Sequence, residues 1–382
     1  MATTKKRRDT EIYENYWTFT AAHTDITGTK FNNCLEVVVL FIDQHKSALE
    51  ENAAANDDFS KSELYALLQQ KVADISGFKG SDATLSARKV INQFVKIGFI
   101  NPLLLGYHPL VKKFLMTSSK KEKEIIFSKI FYESSSLASD VTKDNRHLKH
   151  VNFLLQTLDK NGSLDKNDII GLMVTDISNF KNGFLTKEQL EAQYRFAIAK
   201  GFDERKYNQI DHLTAYLKRF IDLKYDKTAQ RFWFANDPVI ADIDFEEKFK
   251  RDNVKHRIYK EELKCESIEI YGEPVCYLDK IPYKSLIASH IKPCIDCLRE
   301  HNEREAYDKN NGLLLNPTID SYFDKKDISF YEDGSIMFGK GVDSRVVEAF
   351  GKFKLDKAVL NTERQRYMAY HRELFKRKNG VI

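Results

Sequence analysis

One stretch, residues 286–324, restricts the possible folds of this chain more than any other. It opens on Leu286-Ile287-Ala288-Ser289-His290, a short apolar run of strand character with a histidine at its end. A charged stretch, IDCLREHNEREAYDKN, separates it from the turn signal Asn311-Gly312 and from Leu313–Leu315, a second short buried strand. Asn316-Pro317 then starts a helix, with proline at the first position, where its missing N–H loses no bond. TIDSYFD supplies two helical turns, and DISFYEDGSIMF reads as a hairpin around Asp333-Gly334. The local plan is strand, long loop, strand, short helix.

Taken by themselves these residues leave three roles open for His290. It is a catalytic base, a zinc ligand beside Cys294 and Cys297, or a buried structural side chain. On the short helix, Asp320 and Asp324 are four apart and share one face, where two carboxylates repel each other. A divalent cation would relieve that repulsion, and so would simple solvation of a fraying helix.

The five cysteines are Cys34 and a group made of Cys265, Cys276, Cys294 and Cys297. An odd count in a cytosolic chain argues against a disulfide framework and leaves metal open. Cys294-x-x-Cys297 has ligand spacing, and Cys265 with Cys276 would complete a four-thiolate zinc site. The ten residues or so between those two are not a standard knuckle.

Upstream, Ser60 and Glu63 fit a capping box ahead of ELYALLQQKVADISGF. TLSARKVINQFVKIGFI then places Val90, Ile91, Phe94 and Val95 at helical spacing, with Arg88, Lys89 and Lys96 on other faces. A strand-like FINPLLLGYHPL follows. The order resembles a winged helix-turn-helix, whose second helix enters a DNA major groove. A looser echo, SLDKNDIIGLMV to YLKRFIDLKYD and AQRFWFA, comes about 120 residues later and carries Lys218 and Arg219. The alternative is one helical domain whose amphipathic stretches only look alike. Within the echo, DKNGSLDKND has the polarity of a calcium loop, but Leu164 stands at the sixth position, where the turn needs glycine.

LIASHIKP, NNGLLLNPTIDSYFDKKDISF and the VCYLDKIPYKSL lead-in with Cys276 together resemble the HNH nuclease motif over roughly 275–335. Similar domains occur in type II restriction endonucleases. The resemblance implies that His290 is the general base that activates water. It implies that Asn311 braces the long loop or contacts the metal, and that Asp320 is a metal ligand in the place of the family's final histidine. Asp324 becomes an auxiliary ligand or brace. Ser289 departs from the pattern, because many relatives carry a metal-binding residue there. Glu246-x-Lys248 is an isolated match to a different nuclease core, with no partner acid evident.

The expected architecture is α+β. A mainly helical DNA-reading region, with tandem winged-helix modules at 56–145 and 146–240 after a segment at 1–55, precedes a ββα-metal nuclease domain at 245–382. The expected activity is site-specific cleavage of double-stranded DNA with Mg²⁺ or Mn²⁺, plus structural Zn²⁺ if the cysteines converge. Arg88, Lys89, Lys96, Lys218, Arg219 and Lys292 are the expected DNA contacts. One single-metal site cuts one strand at a time, so a double-strand break requires two binding events or a homodimer on DNA. A modification-dependent nuclease and a non-cleaving winged-helix regulator are the alternatives.

Composition agrees with such a chain. It is 42% hydrophobic and 30% charged with a net charge of +4, which excludes a strongly basic nucleic-acid coat but not local basic faces. The 341–382 tail has ten Lys/Arg against five Asp/Glu, interleaved with aromatics, which suits a polyanion or a solvated helix equally. The basic start lacks the apolar stretch of a signal peptide, and no run suggests a membrane span, so a cytoplasmic location is expected.

Overall fold

The computed structural model describes residues 17–55, 58–235 and 251–380. The basic start of the chain and the Glu246-x-Lys248 match lie outside them. The chain divides into two compact units, with the boundary between Asn236 and Asp237. No helix among the described residues is long and apolar enough to cross a membrane.

The first unit is mostly helical. It runs α1 (Thr29–Gln44), α2 (Lys46–Ala54), α3 (Glu63–Ser76), α4 (Ala83–Lys96), α5 (Val111–Met116) and α6 (Lys120–Ser134). Then come α7 (His150–Asn161), α8 (Lys166–Met173), α9 (Lys187–Ala199), α10 (Phe202–Leu217) and an antiparallel pair, β1 (Leu223–Asp226) with β2 (Arg231–Phe234). A strap at residues 17–23, anchored by the buried Trp17 and Phe19, ties α4 to α10. Along it, Ala22 N–H donates to Gln93 at 2.8 Å and Phe19 N–H to Gln209 at 2.8 Å.

The cap of α3 is Ser62, whose hydroxyl accepts from Tyr65 N–H, and not Ser60. Asp58 holds Ser60 in a preceding 3₁₀ turn, which delays the helix by two residues. Asp165 and Asp168 form a capping box on α8, so the calcium-like stretch is a helix start.

On α4 the spacing holds. Val90, Ile91, Phe94 and Val95 are buried, while Arg88 and Lys89 are exposed. Lys96 departs from expectation: it is buried, and its ammonium donates to the Leu137 carbonyl at 2.5 Å. Burial draws its pKa down to about 8. A side chain spent inside on a carbonyl is not offered to DNA.

Beyond α4 the chain turns at Gly98, with φ +83 and the Ser134 carbonyl carbon 2.6 Å from where a Cβ would sit. Ile100 then bridges Tyr107 in antiparallel fashion. Beyond α10 the β1–β2 hairpin follows, and Leu164 pairs with Phe232 through both backbone bonds, at 3.0 and 2.7 Å.

The second unit is α+β. It opens on α11 (Asn253–Tyr271), capped by Asp252 and closed by Gly272 in the left-handed conformation. There follow β3 (Ile287–His290), α12 (Cys294–Arg299), α13 (Glu303–Ala306), β4 (Gly312–Leu315) and α14 (Pro317–Asp324). Then come β5 (Ile328–Phe330), β6 (Ile336–Phe338), α15 (Ser344–Phe350) and α16 (Thr362–Asn379). β3 and β4 pair antiparallel, with Ser289 opposite Leu313 and His290 opposite Gly312. β5 and β6 form the expected hairpin.

Tyr259, Leu263, Leu313, Leu314, Leu315, Ile319 and Phe323 fill the core between α11, the β3–β4 pair and α14. Gly312 is required there. A Cβ on it would lie 2.1 Å from the Tyr259 hydroxyl.

Candidate active site

His290 ends β3 and lies against α11. Its ring stacks on Tyr259 at 4.7 Å between centroids, 14° from parallel, and on His256 at 5.7 Å. Tyr259 is itself fixed, because its hydroxyl donates to the Asn311 carbonyl at 3.1 Å. His290 Nε2 lies 2.9 Å from the Ala306 carbonyl oxygen. A carbonyl only accepts, so Nε2 carries the proton and the neutral ring keeps its lone pair on Nδ1. Burial pushes the imidazole pKa down to about 4; the Ala306 bond and Asp324 oppose this, and Arg251 adds to it. The ring is therefore neutral and able to accept a proton at ordinary pH.

Asn311 is fully buried at the end of the long loop. Its Oδ1 accepts from Lys292 N–H at 2.7 Å, and its Nδ2 donates to the carbonyls of Lys292 and Glu305, each at 3.0 Å. All its polar atoms are thus committed to the backbone on both sides of the loop. The brace role fits this geometry; a metal-ligand role does not.

α14 brings the carboxylates to the same strand end. Successive residues of a strand point to opposite faces. Ser289, on the opposite face from His290, favours the charged form of the Asp320 carboxylate, while His290 goes to Tyr259. Burial raises the Asp320 pKa, and the Asp324 charge raises it further. Asp324 is exposed and acts electrostatically on His290. Its nearest ion partner among the described residues is Lys326, at 3.9 Å. Two mutually repelling carboxylates with hard oxygen donors fit a Mg²⁺-like cation that keeps much of its water. Among the described residues no three His, Cys, Asp or Glu side chains form a ready ligand group.

Residues 275–331 match the HNH endonuclease family. This part of the chain is an HNH domain. No curated protein matches the chain.

Two expectations for the HNH domain need correction. Lys292 is not a DNA contact: it is buried, and its ammonium pairs with Glu300 at 2.6 Å and Glu305 at 3.0 Å. It fastens the loop, like its neighbour in space Asn311. The four cysteines do not converge on zinc either. All are free and buried, each in its own setting. Cys276 meets the Asn316 amide at 3.7 Å, Cys297 meets Asn311 at 3.7 Å, Cys294 lies in the core cluster with Tyr307, and Cys265 faces Glu269 along α11. Burial raises the thiol pKa to about 11 at Cys294 and about 12 at Cys297. They act as small core residues.

Of the DNA-contact candidates outside the HNH domain, Arg88, Lys89 and Lys218 are exposed. Lys218 lies 4.0 Å over the Tyr225 ring, and Arg219 approaches Asp25 at 3.5 Å.

Sequence reasoning overlooks α11, which precedes the matched segment. Its signal is present: His256, Tyr259 and Leu263 recur at helical spacing in NVKHRIYKEELK. It also overlooks His371 of α16. That ring stacks on Phe323 at 3.9 Å and bonds the Phe323 carbonyl and the Ser329 hydroxyl, so it pins the end of α14.

Proposed function

We propose that the protein is a divalent-metal-dependent DNA endonuclease in which His290 is the general base. The observation that carries this reading is the bond from His290 Nε2 to the Ala306 carbonyl, which leaves Nδ1 as the proton acceptor. Nδ1 takes the proton of a water as its oxygen attacks the phosphorus, and the bond to the leaving oxygen breaks. Mg²⁺ or Mn²⁺ held at Asp320 and Asp324 would stabilise the charge on the phosphate and leaving oxygen. Asn311 and Lys292 keep the loop carbonyls in place, so the base stays in one tautomer and one orientation.

Site selection falls to the first unit in this reading. α4 and α10 each run into an antiparallel pairing, as the helices of winged modules do, and Arg88, Lys89 and Lys218 are free of the core. The restriction-type assignment rests on this combination of a reading region with a cutting domain.

One observation favours a second reading, a DNA-binding regulator without cleavage. Ser289 stands where many relatives carry a metal-binding residue, and the half-buried Asp320 has its pKa raised by burial. Incubation of supercoiled plasmid with Mg²⁺ or Mn²⁺ separates the two. Metal-dependent nicking or linearisation that disappears in EDTA and in His290→Ala supports the nuclease. Binding without any strand break under either ion establishes the regulator.

A further inference from the structure

We propose that Arg251 binds the phosphate of the cleaved strand, and that His256 positions it and His290; both residues lie upstream of the family match. The proposal deepens the nuclease reading and rests on it. His256 stacks on His290 at 5.7 Å and packs at a tilt against Tyr259 at 5.7 Å, so the start of α11 adjoins the reacting group. Arg251 directly precedes Asp252, whose N–H donates to the Tyr307 hydroxyl at 2.7 Å, and Tyr307 follows the Ala306 that His290 bonds. The Arg251 charge acts on both imidazoles.

Arg251 differs in its pairing from its neighbours among the described residues. Other basic residues of this unit are paired: Lys255 with Glu303 at 2.8 Å, Lys264 with Glu261 at 2.7 Å, and Arg364 with Glu266 at 2.8 Å. Among the described residues Arg251 is in no ion pair, and its Nε is a buried donor without a partner. His256 Nδ1 is likewise buried and unpartnered. Buried polar atoms are nearly always satisfied, and a group of them beside a catalytic base calls for an absent partner. A partner for the guanidinium is anionic, because its Nε is a buried donor on a cation.

A phosphodiester meets the requirement. It carries one negative charge on two non-bridging oxygens, the geometry a guanidinium fork receives. The carboxylates of α14 and the guanidinium then provide acidic and basic neighbours for His290, one suited to a cation and the other to the phosphate. His256 contributes no proton transfer. Its ring packs against both His290 and Tyr259 and so supports their stack.

The test uses the full chain with wild type, Arg251→Ala, Arg251→Lys, His256→Ala, His256→Phe and His290→Ala. Plasmid nicking is measured in Mn²⁺, and binding to a labelled duplex is measured across a salt series. Arg251→Ala should slow cleavage by about tenfold or more, weaken binding and make the salt dependence shallower by about one phosphate contact. Added ethylguanidinium should restore part of the rate, and Arg251→Lys should lie between. His290→Ala should lose cleavage while its binding and salt slope stay at wild-type values. His256→Ala should lower kcat without raising KM, and His256→Phe, which keeps the stack, should recover it.

Wild-type cleavage and binding in Arg251→Ala would overturn the proposal, and so would a loss that neither ethylguanidinium nor lysine repairs. If wild type binds but never cuts, the nuclease reading fails separately. The salt slope of Arg251→Ala then decides the phosphate contact by itself: an unchanged slope overturns it.

Discussion

Asn311 and His290 are held by consecutive carbonyls of the same turn. The Asn311 amide donates to Glu305 at 3.0 Å, and His290 Nε2 reaches Ala306 at 2.9 Å. The brace therefore fixes the acceptor that decides which nitrogen of the imidazole carries the proton. Asn311→Ala should lower stability by about 1–3 kcal/mol, since it strands buried backbone groups, and should reduce cleavage beyond what the unfolded fraction explains. Urea unfolding, paired with cleavage at a temperature where the variant is fully folded, checks both effects.

His290→Ala should reduce cleavage by roughly 10²–10⁴-fold, the range for loss of a general base, with DNA affinity almost unchanged. A single-turnover rate and a binding isotherm on the same duplex measure this. Wild-type rates would dismiss His290 as the base.

Removing the metal should abolish strand breakage. Asp320→Ala should lose more activity than Asp324→Ala, because Asp320 is partly buried and raised in pKa while Asp324 is solvated. Titration of each variant with Mn²⁺ should show a higher metal requirement for Asp320→Ala. Undiminished cutting in EDTA would exclude the metal mechanism.

Acid should weaken the fold through His371. Burial lowers its pKa from 6.5 to about 3, so below pH 6.5 the unfolded chain takes up a proton that the folded chain refuses. Its contribution is fully present above pH 6.5 and declines as pH falls toward 3, by about 1.4 kcal/mol per pH unit. Denaturant midpoints at pH 7 and pH 5 should differ less in His371→Gln than in wild type.

The basic residues of α4 should separate by location. Changing Arg88 and Lys89 together to alanine should weaken DNA binding with little change in Tm. Lys96→Ala should lower Tm by leaving the Leu137 carbonyl unpaired, with binding retained in the folded fraction. Thermal melts and gel-shift titrations of the two variants distinguish these outcomes.

The short elements of the nuclease domain were legible because their signals are local. Asn316-Pro317 starts α14, Asp333-Gly334 turns the β5–β6 hairpin, and LIASH and GLLL pair with His290 at the strand end. The fates of Lys96 and Lys292 were not, because a lysine in a helix or loop has the same spacing whether it faces solvent or a carbonyl. The cysteines misled for the same reason. Cys294-x-x-Cys297 describes one turn of a short helix whose thiols are buried, and the missing donors could be excluded only in three dimensions. α11 was overlooked because its contribution to the site depends on packing across more than thirty residues of intervening chain.

The buried ion pair between Arg364 and Glu266 sets the smallest transplantable form of this nuclease. Arg364 of α16 is wholly inaccessible to solvent and holds Glu266 of α11 at 2.8 Å as well as the Lys309 carbonyl at 3.0 Å. Losing one partner of such a pair costs about 3–5 kcal/mol. An excised cassette trimmed to residues 275–331 would lose both partners together with the Tyr259 support of the base. A fusion built from it would be an incomplete fold, whereas one spanning 251–380 keeps the clasp closed. The basic tail that resembles a nucleic-acid arm is the fastening that makes the cutting module a unit.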